Sequence, residues 1–150
     1  MDHVRLRRLL DEPPASSAWP PNVNLAPFTS ANATLVHGLL TLGYENGGGT
    51  VPAFEQWWEN LSADSEYDPA LCFTAFSAGT LIGVAQCWTS GYVKDLVVHP
   101  SWRRQCVATA LLLNALHVFR QRGAAWVDLK VETGNGGAMA LYRALGFNSA

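Results

Sequence analysis

Residues 94–132 restrict the fold of this chain more than any other stretch. "KDLVV" is a short valine-rich apolar run, and "HPSWRRQ" is a turn opened by His99 and Pro100. "CVATALLLNAL" begins a run with Val107, Leu111, Ala115 and Val118 at helical spacing and Gly123 as its stop, and "WVDLKVE" is a second strand. Strand, helix, strand in that order requires a crossover, and crossovers of this kind are right-handed and leave their two strands parallel. The preceding segment, "ALCFTAFSAGTLIGVAQCWTSGYVKDLVVHP", reads instead as three strands joined by tight turns at "SAGT" and "TSG". The sheet is therefore mixed, mostly antiparallel, with one parallel crossover.

The other segments fit around this unit. "VNLAPFT" alternates enough for a strand, and Pro27 restricts it to an edge. "ANATLVHGLLTLGY" predicts a helix that Ser30 or Asn32 can cap, and "VPAFEQWWENLSA" predicts a second, with Pro52 in its first turn. "ENGGGT" between them has three glycines but no following Gly-Lys-Ser/Thr, so it reads as a hinge loop, not a phosphate loop. "GNGGAMALYRALGF" is a loop entering a final helix. The expected order is strand, two helices, three strands, helix, strand, helix: an α/β (α+β) three-layer sandwich with helices on both sheet faces. Residues 1–22 read as a basic amphipathic arm followed by a stiff linker containing Pro13, Pro14, Pro20 and Pro21, and 23–150 as the folded domain.

With 150 residues, 49% of them hydrophobic, and a formal net charge of −2, the chain suits one globular domain and gives no support for a general nucleic-acid partner. Cys72, Cys87 and Cys106 match no metal-ligand spacing and suggest a reducing compartment, so no metal is expected. The N-terminus lacks the apolar core of a signal peptide, and no apolar run approaches a membrane span. The expectation is a cytoplasmic protein with no membrane partner.

The helix mouth at "HPSWRRQCVATALL" carries the chemical signal. A first helical turn exposes N–H groups with partial positive charge and ordinarily favours acidic residues; Arg103 and Arg104 oppose that preference. Taken alone, this is an ordinary solvated basic start. With an anion present, it is a phosphate cradle with charge-assisted arginine bonds. Further on, Asn135 stands at a helix start, and Ala138, Leu141, Tyr142 and Leu145 follow at spacings that place them on one helix face.

Together, "VVHPSWRRQCVATALL" and "NGGAMALYRALGF" resemble the cofactor-binding core of the GNAT superfamily of acyl-CoA-dependent N-acetyltransferases. The family's loop Arg/Gln-x-x-Gly-x-Gly/Ala corresponds to "RRQCVA", and its pattern Asn-x-x-Ala-x-x-Leu-Tyr-x-x-x-Gly-Phe is met at every fixed position. The resemblance covers about residues 23–147. It implies acetyl-CoA as co-substrate and a primary amine of a small molecule or peptide as acceptor. It further implies that Leu96, Val97 and Val98 offer main-chain groups to the pantetheine arm. Arg103, Arg104, Gln105, Cys106, Val107 and Ala108 would cradle the pyrophosphate, Asn135 would bind the cofactor, and Tyr142 would act as general acid near the thioester sulfur. A phenol of pKa about 10 is matched to a departing thiolate.

For the general base, Glu132, Asp128 and Asp95 lie on the two strands that flank the cofactor, and Glu132 is the choice. Lys130 stands where protein-N-terminus acetylating members often carry a glutamate. Two further departures are Cys106, in place of the first loop glycine, and an end at "GFNSA" where the family usually adds two strands. The sheet edge so left is open to another subunit, as in a homodimer, or to the N-terminal arm. On the acceptor side the early helices carry Tyr44, Glu45, Glu55, Trp57, Trp58 and Glu59. These suit a cationic amine, or else are a core stripe with a solvated acidic face. The alternative to the enzyme is a catalytically weak acyl-CoA-binding or regulatory module of the same fold.

Overall fold

At Ala78 (φ 49°) and Gly79 (φ 79°) the backbone turns left-handed twice in succession, the geometry that closes a two-residue hairpin. This turn joins β3 (Cys72–Ser77) to β4 (Thr80–Trp88), which pairs in turn with β5 (Tyr92–Val98), all antiparallel as expected. The computed structural model describes residues 2–45 and 49–150. The remaining elements are β1 (His3–Leu9), β2 (Asn24–Pro27), α1 (Ala33–Tyr44), α2 (Phe54–Ser62), α3 (Val107–Gln121), β6 (Trp126–Glu132), α4 (Gly136–Ala144) and β7 (Asn148–Ser149). Part of the "ENGGGT" loop, Asn46–Gly48, lies outside the described residues.

The seven strands form one sheet in the order β2-β3-β4-β5-β6-β1-β7, with β5 and β6 as its parallel pair. Pro27 ends the edge strand β2, as its missing N–H requires. Helices α1 and α2 cover one face, where Val36, Leu39, Leu40, Trp57 and Leu61 pack with Cys72, Leu81, Val84 and Val97. The other face packs on α3, through Leu111, Leu112, Ala115, Leu116 and Phe119. Helix α3 settles closely on β4 because Gly83 has no side chain: a Cβ there would stand 2.9 Å from Val107 Cγ1 and 3.1 Å from Leu111 Cδ1. Three layers result.

The N-terminal segment departs from the expectation of a basic arm. Residues 3–9 are a strand inside the sheet, antiparallel to β6 over the full register from His3↔Glu132 to Leu9↔Trp126. The reason is a period of two that the charges obscure. Leu6 is fully buried and Val4 packs against the core, while His3, Arg5 and Arg7 project from the opposite face. On that face Arg5 Nε and Arg7 Nε each donate to Asp128 at 2.8 Å, and Arg7 Nη2 adds a third bond of 2.9 Å. Arg7 also lies 4.0 Å from the centroid of Trp126, and Arg5 5.3 Å from that of Tyr92. The N-terminal segment, one of the covers expected for the open sheet edge, lies along β6. Beyond it, Asn148 and Ser149 form a short strand paired with β1.

Candidate active site

The site arises where β5 and β6 part. Their register contains one pair, Tyr92↔Asp128, at the N-terminal end of β5, next to the bond from Asp128 N–H to the Gly91 carbonyl at 2.8 Å. Gly91 makes the close approach possible: its φ of 91° suits glycine, and a Cβ would stand 2.8 Å from the Trp126 carbonyl oxygen. Beyond Tyr92 no register pair joins the strands, so the β5 edge through Leu96, Val97 and Val98 has no strand partner on its β6 side. Leu96 and Val98 pack toward the α3 core, and Val97 is buried against α1, where Gly43 leaves room for it. Their side chains are thus committed to packing. Their main chain is what faces the gap.

At the C-terminal end of β5, His99 Nδ1 accepts from Ser101 N–H at 3.1 Å, so this histidine braces the turn. The chain then runs through Arg104 (φ 61°) and Cys106 (φ 66°), both left-handed, before α3 begins. Holding a side-chain-bearing residue there costs roughly 1–2 kcal/mol, and such strain collects at functional turns. No side chain caps α3, so the N–H groups of its first turn are without a side-chain acceptor. A cavity of about 590 Å3 opens in front of them, lined by Val98, Arg103, Arg104, Cys106, Val107 and Ala108 and, from α4, by Ala138 and Leu141. Neither arginine is ion-paired among the described residues. Gln105 is not in this lining; its side chain donates to the Ser101 carbonyl at 3.3 Å.

Ala138 also lines a second cavity of about 480 Å3, with His3, Tyr44, Tyr92, Lys94, Lys130, Glu132, Asn135 and Tyr142. Tyr44 and Lys94 continue into a third, of about 230 Å3, lined also by Trp57 and Asp95. The three cavities thus adjoin through shared wall residues, and this row, the trough, leads from the mouth of α3, past Tyr142, to α1. Tyr142 packs edge-on to Phe147, with centroids 6.0 Å apart, and its hydroxyl makes no hydrogen bond among the described residues. Burial pushes this phenol above its ordinary range, so it keeps its proton throughout neutral pH. Asn135 is the N-cap of α4: its side-chain oxygen accepts from Ala138 N–H at 3.1 Å, leaving the amide NH2 free to donate.

The three carboxylates on the flanking strands fare differently. Asp128 is consumed by Arg5 and Arg7: burial pushes its carboxyl up, but those hydrogen bonds more than reverse this and hold it below the usual value. Asp95 is buried, accepts from Tyr44 Oη at 2.8 Å and pairs with Lys94 Nζ at 3.0 Å. Tyr44 is pushed up in turn, first by burial and then by that carboxylate. Glu132 alone opens on the central cavity, with His3 Nε2 at 3.8 Å.

Of the expected acceptor-side residues, Trp57 is buried and Trp58 half-buried in the α1–α2 core, while Glu55 and Glu59 face solvent. The core-stripe reading holds for them, and Tyr44 and Trp57 reach the trough. Sequence reasoning did not assign His3, Tyr92 or Lys94 to the site. His3 had one signal, its place two residues before Arg5 in the hidden strand period. Among the described residues no cluster of potential metal ligands occurs, and no helix is long and apolar enough to cross a membrane.

Comparison with known proteins agrees with this geometry. The chain is 36% identical over 86 residues to the N-alpha-acetyltransferase MAK3 of Arabidopsis thaliana, covering 53% of this chain and 45% of that protein. It is 39% identical over 56 residues to the alanine N-acetyltransferase of ribosomal protein bS18 from Escherichia coli (strain K12), covering 37% and 38%. The matched segments span less than half of those relatives. In fold, it resembles a GCN5-related N-acetyltransferase from Sphaerobacter thermophilus with TM-score 0.84 and 23% identity, over 99% of this chain and 48% of that one. An aminoglycoside N-acetyltransferase in complex with CoA superposes with TM-score 0.66 and 18% identity, over 85% and 89%. Residues 37–147 match the model of the acetyltransferase (GNAT) family, and the chain belongs to that family.

Proposed function

We propose that this chain transfers the acetyl group of acetyl-CoA to a primary amine, with the free α-amine of a peptide as the favoured acceptor. The observation that carries this is the trough joining the uncapped, arginine-flanked start of α3 to the unpartnered hydroxyl of Tyr142. The pyrophosphate sits against the N–H groups of Val107 and Ala108, with Arg103 and Arg104 giving charge-assisted bonds and Gln105 and Cys106 contributing main chain only. The pantetheine runs along the Leu96–Val98 edge, its amides pairing there as an extra strand does, and the Asn135 amide donates beside it. The thioester then lies at Tyr142.

The amine must lose a proton before it attacks, and Glu132 is the carboxylate left beside the site to assist that loss, directly or through another group, since Asp128 and Asp95 are engaged elsewhere. As the carbon–sulfur bond breaks, Tyr142 gives its proton to the departing thiolate. The names of the two relatives, an N-alpha-acetyltransferase and an alanine N-acetyltransferase of a ribosomal protein, favour a peptide acceptor.

A second reading, acyl-CoA binding with weak or no turnover, is favoured by the Cβ of Cys106 at the mouth of the phosphate cradle. Release of free thiol from acetyl-CoA over a panel of free-α-amine peptides, blocked peptides with a lysine side chain, and aminoglycosides separates the two. Turnover confined to the free α-amines supports the acceptor class. Cofactor binding with no thiol released across the panel supports the second reading.

A further inference from the structure

His3 belongs to a segment that the expected site did not use, yet it opens on the same cavity as Tyr142 and Glu132. The position is fixed by backbone, not by a chance rotamer: His3 lies directly opposite Glu132 in the β1–β6 register, on the same sheet face, with Nε2 3.8 Å from Oε1. Two and four residues along, Arg5 and Arg7 fasten that strand to Asp128, and Leu6 anchors it in the core. An imidazole is the side chain best suited to take a proton near neutral pH, whereas a carboxylate is a weak acceptor for the proton of an ammonium group.

We propose that His3, supplied by the N-terminal strand, is the group that takes the acceptor's proton, with Glu132, opposite it in the register, as the positioning residue that orients its ring. This deepens the acetyl-transfer reading and rests on it. With Nε2 turned toward Glu132, the tautomer protonated there leaves the Nδ1 lone pair to receive the proton. The ammonium loses one proton to His3 and the neutral nitrogen attacks the thioester carbon. The C–S bond breaks, and Tyr142 protonates the sulfur and recovers a proton from the new amide nitrogen. His3 then releases its proton to solvent. The charged and titratable groups that share the cavity are Lys130 on β6, Tyr92 and Lys94 on β5, Tyr44 on α1 and Tyr142 on α4, with Arg5 on the same face of β1. Lys94 is already paired with Asp95, so Glu132 is the anion that faces the ring.

The test uses the full chain and the peptide acceptor found by thiol release. His3→Gln is expected to keep the wild-type melting temperature and acetyl-CoA affinity, to lower kcat/KM about a hundredfold or more near pH 7, and to lose the acidic limb of the pH profile. Imidazole added to His3→Ala is expected to restore part of the rate, which a packing role would not allow. Glu132→Gln is expected to keep the limb and to lower kcat more than it changes KM. Full rate and an unchanged limb in His3→Gln overturn the inference alone and leave acetyl transfer standing. The same holds for a limb lost in Glu132→Gln and kept in His3→Gln. Absence of thiol release by the wild-type chain with every amine overturns the reading and the inference together.

Discussion

At Cys106 the backbone is left-handed (φ 66°), which a residue with a Cβ adopts at a cost and glycine does not. Cys106→Gly removes that strain, offset in part by the greater freedom of glycine in the unfolded chain, for a net gain of about 1 kcal/mol or less. Calorimetry is expected to show a melting temperature higher by up to about 2–4 °C and tighter acetyl-CoA binding. A lower melting temperature would refute the account of this turn. Arg104 shares the left-handed geometry, and its free guanidinium lines the cradle. Arg104→Ala is expected to weaken acetyl-CoA by about 1.5–3 kcal/mol, the range for a bond to a charged group; equal affinity would place the arginine in solvent. Tyr142→Phe keeps the contact with Phe147 and removes the proton, so kcat is expected to fall about a hundredfold to ten-thousandfold with acetyl-CoA affinity unchanged. Since burial raises the Tyr142 phenol above its ordinary value of 10.0, its deprotonation adds no basic limb to the rate profile below that pH.

Among the elements, sequence reasoning misread β1 and did not assign the two-residue β7. The period of two in β1 is carried by Val4 and Leu6 alone, and the reason Arg5 and Arg7 can stand in a row on the other face is Asp128, more than 120 positions away along the chain. A partner so distant leaves no local trace. By contrast, the crossover from β5 through α3 to β6 was legible, because Val107, Leu111 and Ala115 mark the buried stripe of α3 and Gly123 (φ 83°) stops it. The trough was half legible. The cradle and the face of α4 follow from local spacing, whereas the commitment of Asp128 and Asp95 to other partners depends on β1 and α1 folding over them.

Asp128→Asn tests the hold on β1. Removing one member of a buried pair costs roughly 3–5 kcal/mol, reduced here toward about 2 kcal/mol because Arg5 and Arg7 are partly exposed. The folded-state carboxyl is depressed below 3.8, so its stabilisation is present above that value and is lost as pH falls through the lower one. The wild-type advantage in denaturant melts is expected at pH 6 and to shrink in acid; an advantage independent of pH would mean the arginines do not read the Asp128 charge.

Across the whole molecule, the sheet is opened by a parallel pair that meets at Gly91 and separates toward α3, and Arg103, Arg104, Glu132, Asn135 and Tyr142 line the cavities beside that opening. The N-terminal strand closes the far side of β6 and brings His3 to the same cavity as Tyr142 of α4. Binding of acetyl-CoA only to the native state is expected to add about 2.7 kcal/mol at a ligand concentration of a hundred times Kd. Where that ligand sits is the central claim, and amide hydrogen exchange with and without acetyl-CoA reads it directly. Slower exchange is expected to concentrate at residues 96–98 on the β5 edge and 104–109 at the start of α3, with smaller effects at 135–138. Protection centred instead on β2 or on the β1–β7 edge, with the α3 start unchanged, would contradict the account.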